Sequence, residues 1–149
     1  MLKTTNFAIM MGGNQGNTPE IFQDAVEKLT AAGVRSPVRS RLFRTAPVDC
    51  VPGTPDFCNA ALTGEWAGTA EELLEVCQRL EREAGRPEKH SSREARPLDL
   101  DLILFGDERR ETPFLRLPHP RAQQRGFVLM PLAQIAGDWK FPDSGLTVR

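Results

Sequence analysis

Apolar and polar residues alternate in Leu98-Asp99-Leu100-Asp101-Leu102, within the longer run Arg96 to Phe105, the pattern of a half-buried strand. Successive strand side chains point to opposite sides, so leucines 98, 100 and 102 enter a core while the two acids stand side by side on the other face. Phe7-Ala8-Ile9-Met10-Met11 is a continuous apolar run and reads as a buried first strand. It ends in Gly12-Gly13-Asn14-Gln15-Gly16-Asn17, a loop able to adopt positive backbone angles. A helix follows, with Thr18 as N-cap, Pro19 at its first position, and Ile21, Phe22, Ala25, Val26 and Leu29 in one apolar stripe before Gly33. From Val34 to Thr45 arginines and serines interleave with Val38, Leu42 and Phe43, which predicts an extended strand, and Ala46 to Pro55 is turn-rich. Phe57 to Trp66 predicts a third strand. Thr69 and Glu72 then make a capping box for a helix carrying Leu73, Cys77, Leu80 and Ala84, ended by Gly85. Beyond the acid-bearing strand, Phe114 to Ala136 reads as a loop followed by a short helix.

The order strand, helix, strand, strand, helix, strand is the split βαβ arrangement of a ferredoxin-like α+β sandwich, βαββαβ, with one antiparallel sheet, helices on one face and a C-terminal extension. The chain of 149 residues suits one domain spanning 1–149, long enough to bury a core without staples. Lysine plus arginine number 19 against 20 for aspartate plus glutamate, a net charge of -1, so bulk attraction to nucleic acid is not expected. Cys50, Cys58 and Cys77 are odd in number and lack metal-ligand pairing, which points to reduced thiols in a cytoplasm, Cys77 being a core residue. No stretch approaches the roughly 20 apolar residues of a membrane span, and the start lacks a secretory signal pattern. The expectation is a soluble cytoplasmic protein.

Adjacent acids repel unless something neutralises them. Asp99 and Asp101 suit a hard divalent cation such as magnesium, which takes one or two carboxylates plus water and substrate phosphates; an acidic row facing solvent fits the pair alone equally well. Upstream lies Gly85-Arg86-Pro87-Glu88-Lys89-His90-Ser91-Ser92-Arg93-Glu94-Ala95-Arg96, a polar segment with three arginines and no apolar anchor. Arginine's planar fork matches phosphate oxygens, so such a segment beside two metal-binding acids can enclose a polyphosphate; its plainer reading is a solvated surface loop. His119 and Arg125, flanking a turn, offer two further phosphate contacts. Phe57 and Phe127 are either core residues or the two walls of a slot for a flat heterocycle, with Asn59 presenting a donor and an acceptor to its edge.

Four segments in this order resemble the signature segments of the 6-hydroxymethyl-7,8-dihydropterin pyrophosphokinase family of folate biosynthesis: Arg44-Thr45-Ala46-Pro47, Pro55-Asp56-Phe57-Cys58-Asn59-Ala60-Ala61, Arg96 to Leu102, and Pro118-His119-Pro120-Arg121 with Arg125-Gly126-Phe127-Val128-Leu129. The resemblance runs from about residue 7 to 143 and implies the ferredoxin-like fold. It implies transfer of pyrophosphate from ATP to the pterin hydroxymethyl oxygen, releasing AMP, with two magnesium ions. On the same basis Asp99 and Asp101 match metal ligands, Arg86 and Arg96 match loop arginines at the phosphates, and His119 and Arg125 match further ATP contacts. Gln78 and Glu81 match positions near the nucleotide. Thr45, Pro47, Val48, Phe57, Asn59 and Phe127 match the pterin pocket. The expected partners are small molecules only, with the chain acting as a monomer.

Some positions depart from the family pattern. The usual Gly-Ser-Asn after the first strand is Gly12-Gly13-Asn14, and the stacking tyrosine is Phe57. Ser92-Arg93-Glu94-Ala95-Arg96 replaces Arg-Trp-Gly-Pro-Arg, so a tryptophan over the pterin is absent; Glu88 and Phe114 stand where some members carry basic residues, with Arg116 close to the second. The altered loop leaves an alternative: a catalytically impaired homologue that binds pterin and nucleotide without turnover. A ferredoxin-like RNA-binding domain would need exposed aromatics on central strands and a basic face, neither of which the sequence offers.

Overall fold

A computed structural model describes residues 3–13, 18–45, 57–85, 98–112, 115–118, 126–137, 139, 142 and 148. The first strand, β1 (Thr5–Gly13), contains the predicted apolar run and leads to α1 (Thr18–Ala32). Next come β2 (Arg35–Arg39), β3 (Phe43–Thr45), β4 (Phe57–Trp66), α2 (Ala70–Glu83) and β5 (Asp99–Phe105). A small hairpin, β6 (Arg110–Glu111) with β7 (Arg116–Leu117), precedes α3 (Gly126–Ala136). The main sheet has the order β2-β4-β1-β5, with β3 also paired to β4 and every pairing antiparallel. The strands flanking each helix are thus separated in the sheet by a strand from elsewhere in the chain, as the split βαβ reading requires.

Local chemistry sets the element ends. The Thr69 hydroxyl accepts from Glu72 N at 3.1 Å while Glu72 Oε1 accepts from Thr69 N at 2.8 Å, the predicted capping box of α2. Past the helix C-termini, Gly33 and Gly85 adopt φ of +124° and +99°, which L side chains resist.

Strand alternation divides the interior in two. Phe7, Ile9 and Met11 of β1, Leu62 of β4, and Leu98, Leu100 and Leu102 in and beside β5 pack with Phe22 and Leu29 of α1 and Leu73, Cys77 and Leu80 of α2. On the other face Ala8, Met10, Ala61, Ile103 and Leu104 pack with Leu132 and Ala136 of α3. Two helices therefore cover one face, as expected, and the C-terminal helix covers part of the other, which adds a layer to the arrangement predicted from the order of elements. In α3, Gly126-Phe127-Val128-Leu129-Met130-Pro131-Leu132-Ala133-Gln134-Ile135-Ala136, Gln134 is the one polar side chain, and its Oε1 accepts from Arg41 N at 2.7 Å between β2 and β3. Among the described residues no helix is long and apolar enough to cross a membrane.

The stretch Val34 to Thr45, expected as one strand, is two. At the buried Ser40 its N–H donates to Ala61 O at 2.8 Å, but Ala61 N donates to the Ser40 hydroxyl rather than to a backbone carbonyl, also at 2.8 Å. The pairing with β4 runs Arg39↔Leu62 before this point and Phe43↔Asn59 after it, a slip of one residue. A side-chain oxygen standing in for the ladder acceptor lets the strand break and resume without an orphaned donor. Besides a shift between Arg35 and Val38 in β2, a slip separates Ala8 from Ile9 where β1 meets β5, so that Ile9 pairs with Leu102 and Ala8 with Leu104.

Candidate active site

Cross-strand register brings the candidate residues into one row. Gly12 of β1 pairs with Asn59 of β4 on one side and with Asp99 of β5 on the other, and Met10 lies likewise between Ala61 and Asp101. Asn59 and Asp99 therefore stand two strand spacings apart, roughly 10 Å, on the face that α3 partly covers. A Cβ on Gly12 would approach Asn59 Oδ1 to 3.3 Å and Asp99 Cβ to 3.9 Å, so glycine keeps this strip shallow between the two polar side chains. Asn59 is buried, at 6% exposure, and both aspartates are half-buried. The three leucines beside the acids lie in the opposite core, as the alternation requires.

Asp99 and Asp101 sit on the same face two residues apart, about 7 Å along the strand. Their oxygens are the donor type that a hard cation prefers, and half-burial leaves them open to a ligand. Among the described residues no group of three potential metal-ligating side chains forms. A cation held here would complete its shell from water and from ligand oxygens, which suits magnesium better than a protein cage would.

Helix α2 reaches this strand from the side. Glu81 Oε2 accepts from Leu100 N at 2.7 Å, so the residue between the two acids is tied to the last turns of α2. Cys77, one turn earlier, is fully buried; its thiol is pushed up to about 12 by burial first and then by the Glu81 and Asp101 carboxylates. It stays protonated and inert at neutral pH. Gln78, a turn from Glu81, is exposed on α2.

The pterin-side candidates are placed in part. Thr45 of β3 pairs with Phe57 of β4, two residues along from the Phe43↔Asn59 pair, and Phe127 is the second residue of α3. Pro47, Val48, Arg86, Arg96, His119 and Arg125 lie outside the described residues, as does the loop Glu88 to Ala95. Phe43 was not singled out from sequence, yet it extends the row Asn59–Gly12–Asp99 by one strand, and the Arg41 guanidinium lies 4.8 Å from its ring centroid. Its two-residue spacing from Thr45 was the available signal, since both then share a strand face.

The ferredoxin-like sheet thus presents two half-buried carboxylates on β5 across Gly12 from a buried amide on β4. Residues 8–137 match the family profile of 7,8-dihydro-6-hydroxymethylpterin-pyrophosphokinase, and the chain belongs to that family. It is 38% identical over 141 residues to the 2-amino-4-hydroxy-6-hydroxymethyldihydropteridine pyrophosphokinase of Synechocystis sp., covering 93% of this chain and 70% of that protein. The Porphyromonas gingivalis protein of the same name is 32% identical over 139 residues, 91% of this chain and 93% of that one. A folate synthesis bifunctional protein of Arabidopsis thaliana is 37% identical over 139 residues, 91% of this chain but 28% of its own length. The chain thus spans most of the single-activity relatives and about a quarter of that bifunctional one. The crystal structure of wild-type Plasmodium falciparum HPPK-DHPS superposes with a TM-score of 0.72 at 12% identity, covering 99% of this chain and 40% of that one, which supports the fold.

Proposed function

We propose that this chain transfers the pyrophosphoryl group of ATP to the hydroxymethyl oxygen of 6-hydroxymethyl-7,8-dihydropterin, releasing AMP, in folate biosynthesis. The observation that carries this reading is the row Asn59–Gly12–Asp99, with Asp101 one step along β5. A flat bicycle laid across Gly12 with one edge on Asn59 directs its exocyclic hydroxyl toward the acids. Thr45, Pro47, Val48, Phe57 and Phe127 complete the pterin pocket, the last two by stacking. Two magnesium ions at Asp99 and Asp101, when bound, neutralise and orient the phosphate oxygens.

In the reaction the hydroxymethyl oxygen bonds to the β-phosphorus, the bond from that phosphorus to the α,β-bridging oxygen breaks, and the alcohol proton passes to the medium. Charge grows on phosphate oxygens and on departing AMP, so positioning and preorganised electrostatics supply most of the rate. Arg86 and Arg96 act there as catalytic residues, while Gln78, Glu81, His119 and Arg125 hold ATP. The unit acts as a single domain and a monomer in the cytoplasm on small molecules.

Incubation with ATP, magnesium chloride and 6-hydroxymethyl-7,8-dihydropterin is expected to yield AMP stoichiometric with pterin diphosphate. Binding of both substrates without AMP would replace this reading with the impaired binding homologue, which the substituted Ser92-Arg93-Glu94-Ala95-Arg96 segment motivates.

A further inference from the structure

We infer that Glu81 is a positioning residue for the acid pair: its carboxylate, carried by α2, fixes the peptide between Asp99 and Asp101. This rests on the proposed role of those acids. Among the described residues the sheet order is β2-β4-β1-β5, so the acid-bearing strand is an edge with β1 on one side. An edge strand presents backbone donors that no neighbouring strand satisfies. The Leu100 N–H is one, and it donates to Glu81 Oε2 at 2.7 Å. An ionised acceptor makes this bond stronger than an ordinary ladder bond. It is anchored at both ends, because Leu80 beside Glu81 and the Leu100 side chain are both buried in the α1/α2 core.

The location of the bond gives it leverage. Leu100 is the residue between the acids, so both flanking peptides inherit its restraint, and a twist of this edge would move the two carboxylates relative to each other. Cations that favour near-ideal octahedral geometry tolerate little such movement. Groups that orient metal ligands typically carry 10–100-fold in metal affinity or activity. Cys77, one turn before Glu81 on α2, is buried in that same core.

The test compares the whole protein with Glu81→Ala, which removes the acceptor, and Glu81→Gln, which keeps a neutral oxygen at the same reach. Residue-resolved amide exchange of Leu100, read without ligands, is expected to rise about tenfold or more in Glu81→Ala and to return toward wild type in Glu81→Gln. The magnesium concentration giving half-maximal AMP formation is expected to rise about 10-fold or more in Glu81→Ala. Glu81→Gln is expected to recover most of that loss. Unchanged Leu100 exchange in Glu81→Ala overturns the inference. So does a magnesium dependence that stays at the wild-type value in Glu81→Ala, which would leave Glu81 a nucleotide contact alone. Absence of AMP from the wild-type protein would instead count against the proposed reaction, and the exchange measurement would still decide the anchor.

Discussion

The two faces of the sheet are built from the same strands and differ in almost everything else. Toward α1 and α2 the strands send Phe7, Ile9, Met11, Leu62, Leu100 and Leu102 into a closed apolar layer with both helices. Toward α3 they send small or polar residues as well as apolar ones: Ala8, Met10, Gly12, Asn59, Ala61, Asp99 and Asp101, with Leu132 and Ala136 covering only part of the area. One alternation therefore places the closed core on odd residues of β1 and the proposed ligand site on even ones. The second face can present half-buried charges because the first supplies most of the apolar burial that holds the sheet together beneath them.

The largest effect that would test this division is at the acids. Asp99→Ala and Asp101→Ala are each expected to lower AMP formation on the order of 10³-fold, since groups at developing charge are worth ~10²–10³ apiece. Their thermal midpoints without magnesium should match wild type or exceed it, because one of two neighbouring like charges has gone. Near-normal turnover in both variants would sink the metal role. Next come the cores. Phe22→Ala on the closed face should cost about 3–5 kcal/mol in denaturant unfolding and leave the pterin KM of the folded fraction unchanged. Leu132→Ala should cost about 2–5 kcal/mol and also raise the pterin KM, because α3 packs on the sheet face that carries Asn59 and the acids. Equal KM values in the two variants would show the faces to be less separate than described. The smallest effect concerns pH. Cys77 has its pKa raised in the fold from 9.0 to about 12, so above pH 9 the unfolded chain releases a proton that the native one keeps, and stability falls as pH rises. Alkaline unfolding curves of Cys77→Ala should therefore fall less steeply with pH than those of the wild type.

Which of these features could be read beforehand follows from how local their causes are. The bounds of β4 at Phe57 and Trp66, the capping box at Thr69 and Glu72, and the facing of Asp99 and Asp101 away from the leucines depend on neighbours two to four residues away, and all were legible. The break at Ser40 was not, because its hydroxyl bonds to Ala61, 21 residues along the chain. The face taken by α3 was hidden for a different reason: a helix with a single polar side chain has no polar side to show which way it turns. Within the site the acids and Asn59 announced themselves by residue type. Phe43 did not, since an aromatic in a strand signals core until its partner across the sheet is known, and the bond from Leu100 to Glu81 joins elements 19 residues apart through an edge that only the strand order defines.

The register slip between Ala8 and Ile9 has a bearing on how this strand tolerates change. Past it, Ile103 and Leu104 both lie in the α3-side core and Phe105 returns to the other. The phase of Asp99 and Asp101 is set by Gly12 and Met10, whereas that of Leu104 and Phe105 is set by Ala8 and Phe7. The strand thus has two separately indexed halves that meet at the slip. A residue gained or lost at the joint would be absorbed as a larger or smaller bulge, and the acids would keep facing the same way while the far end drifts.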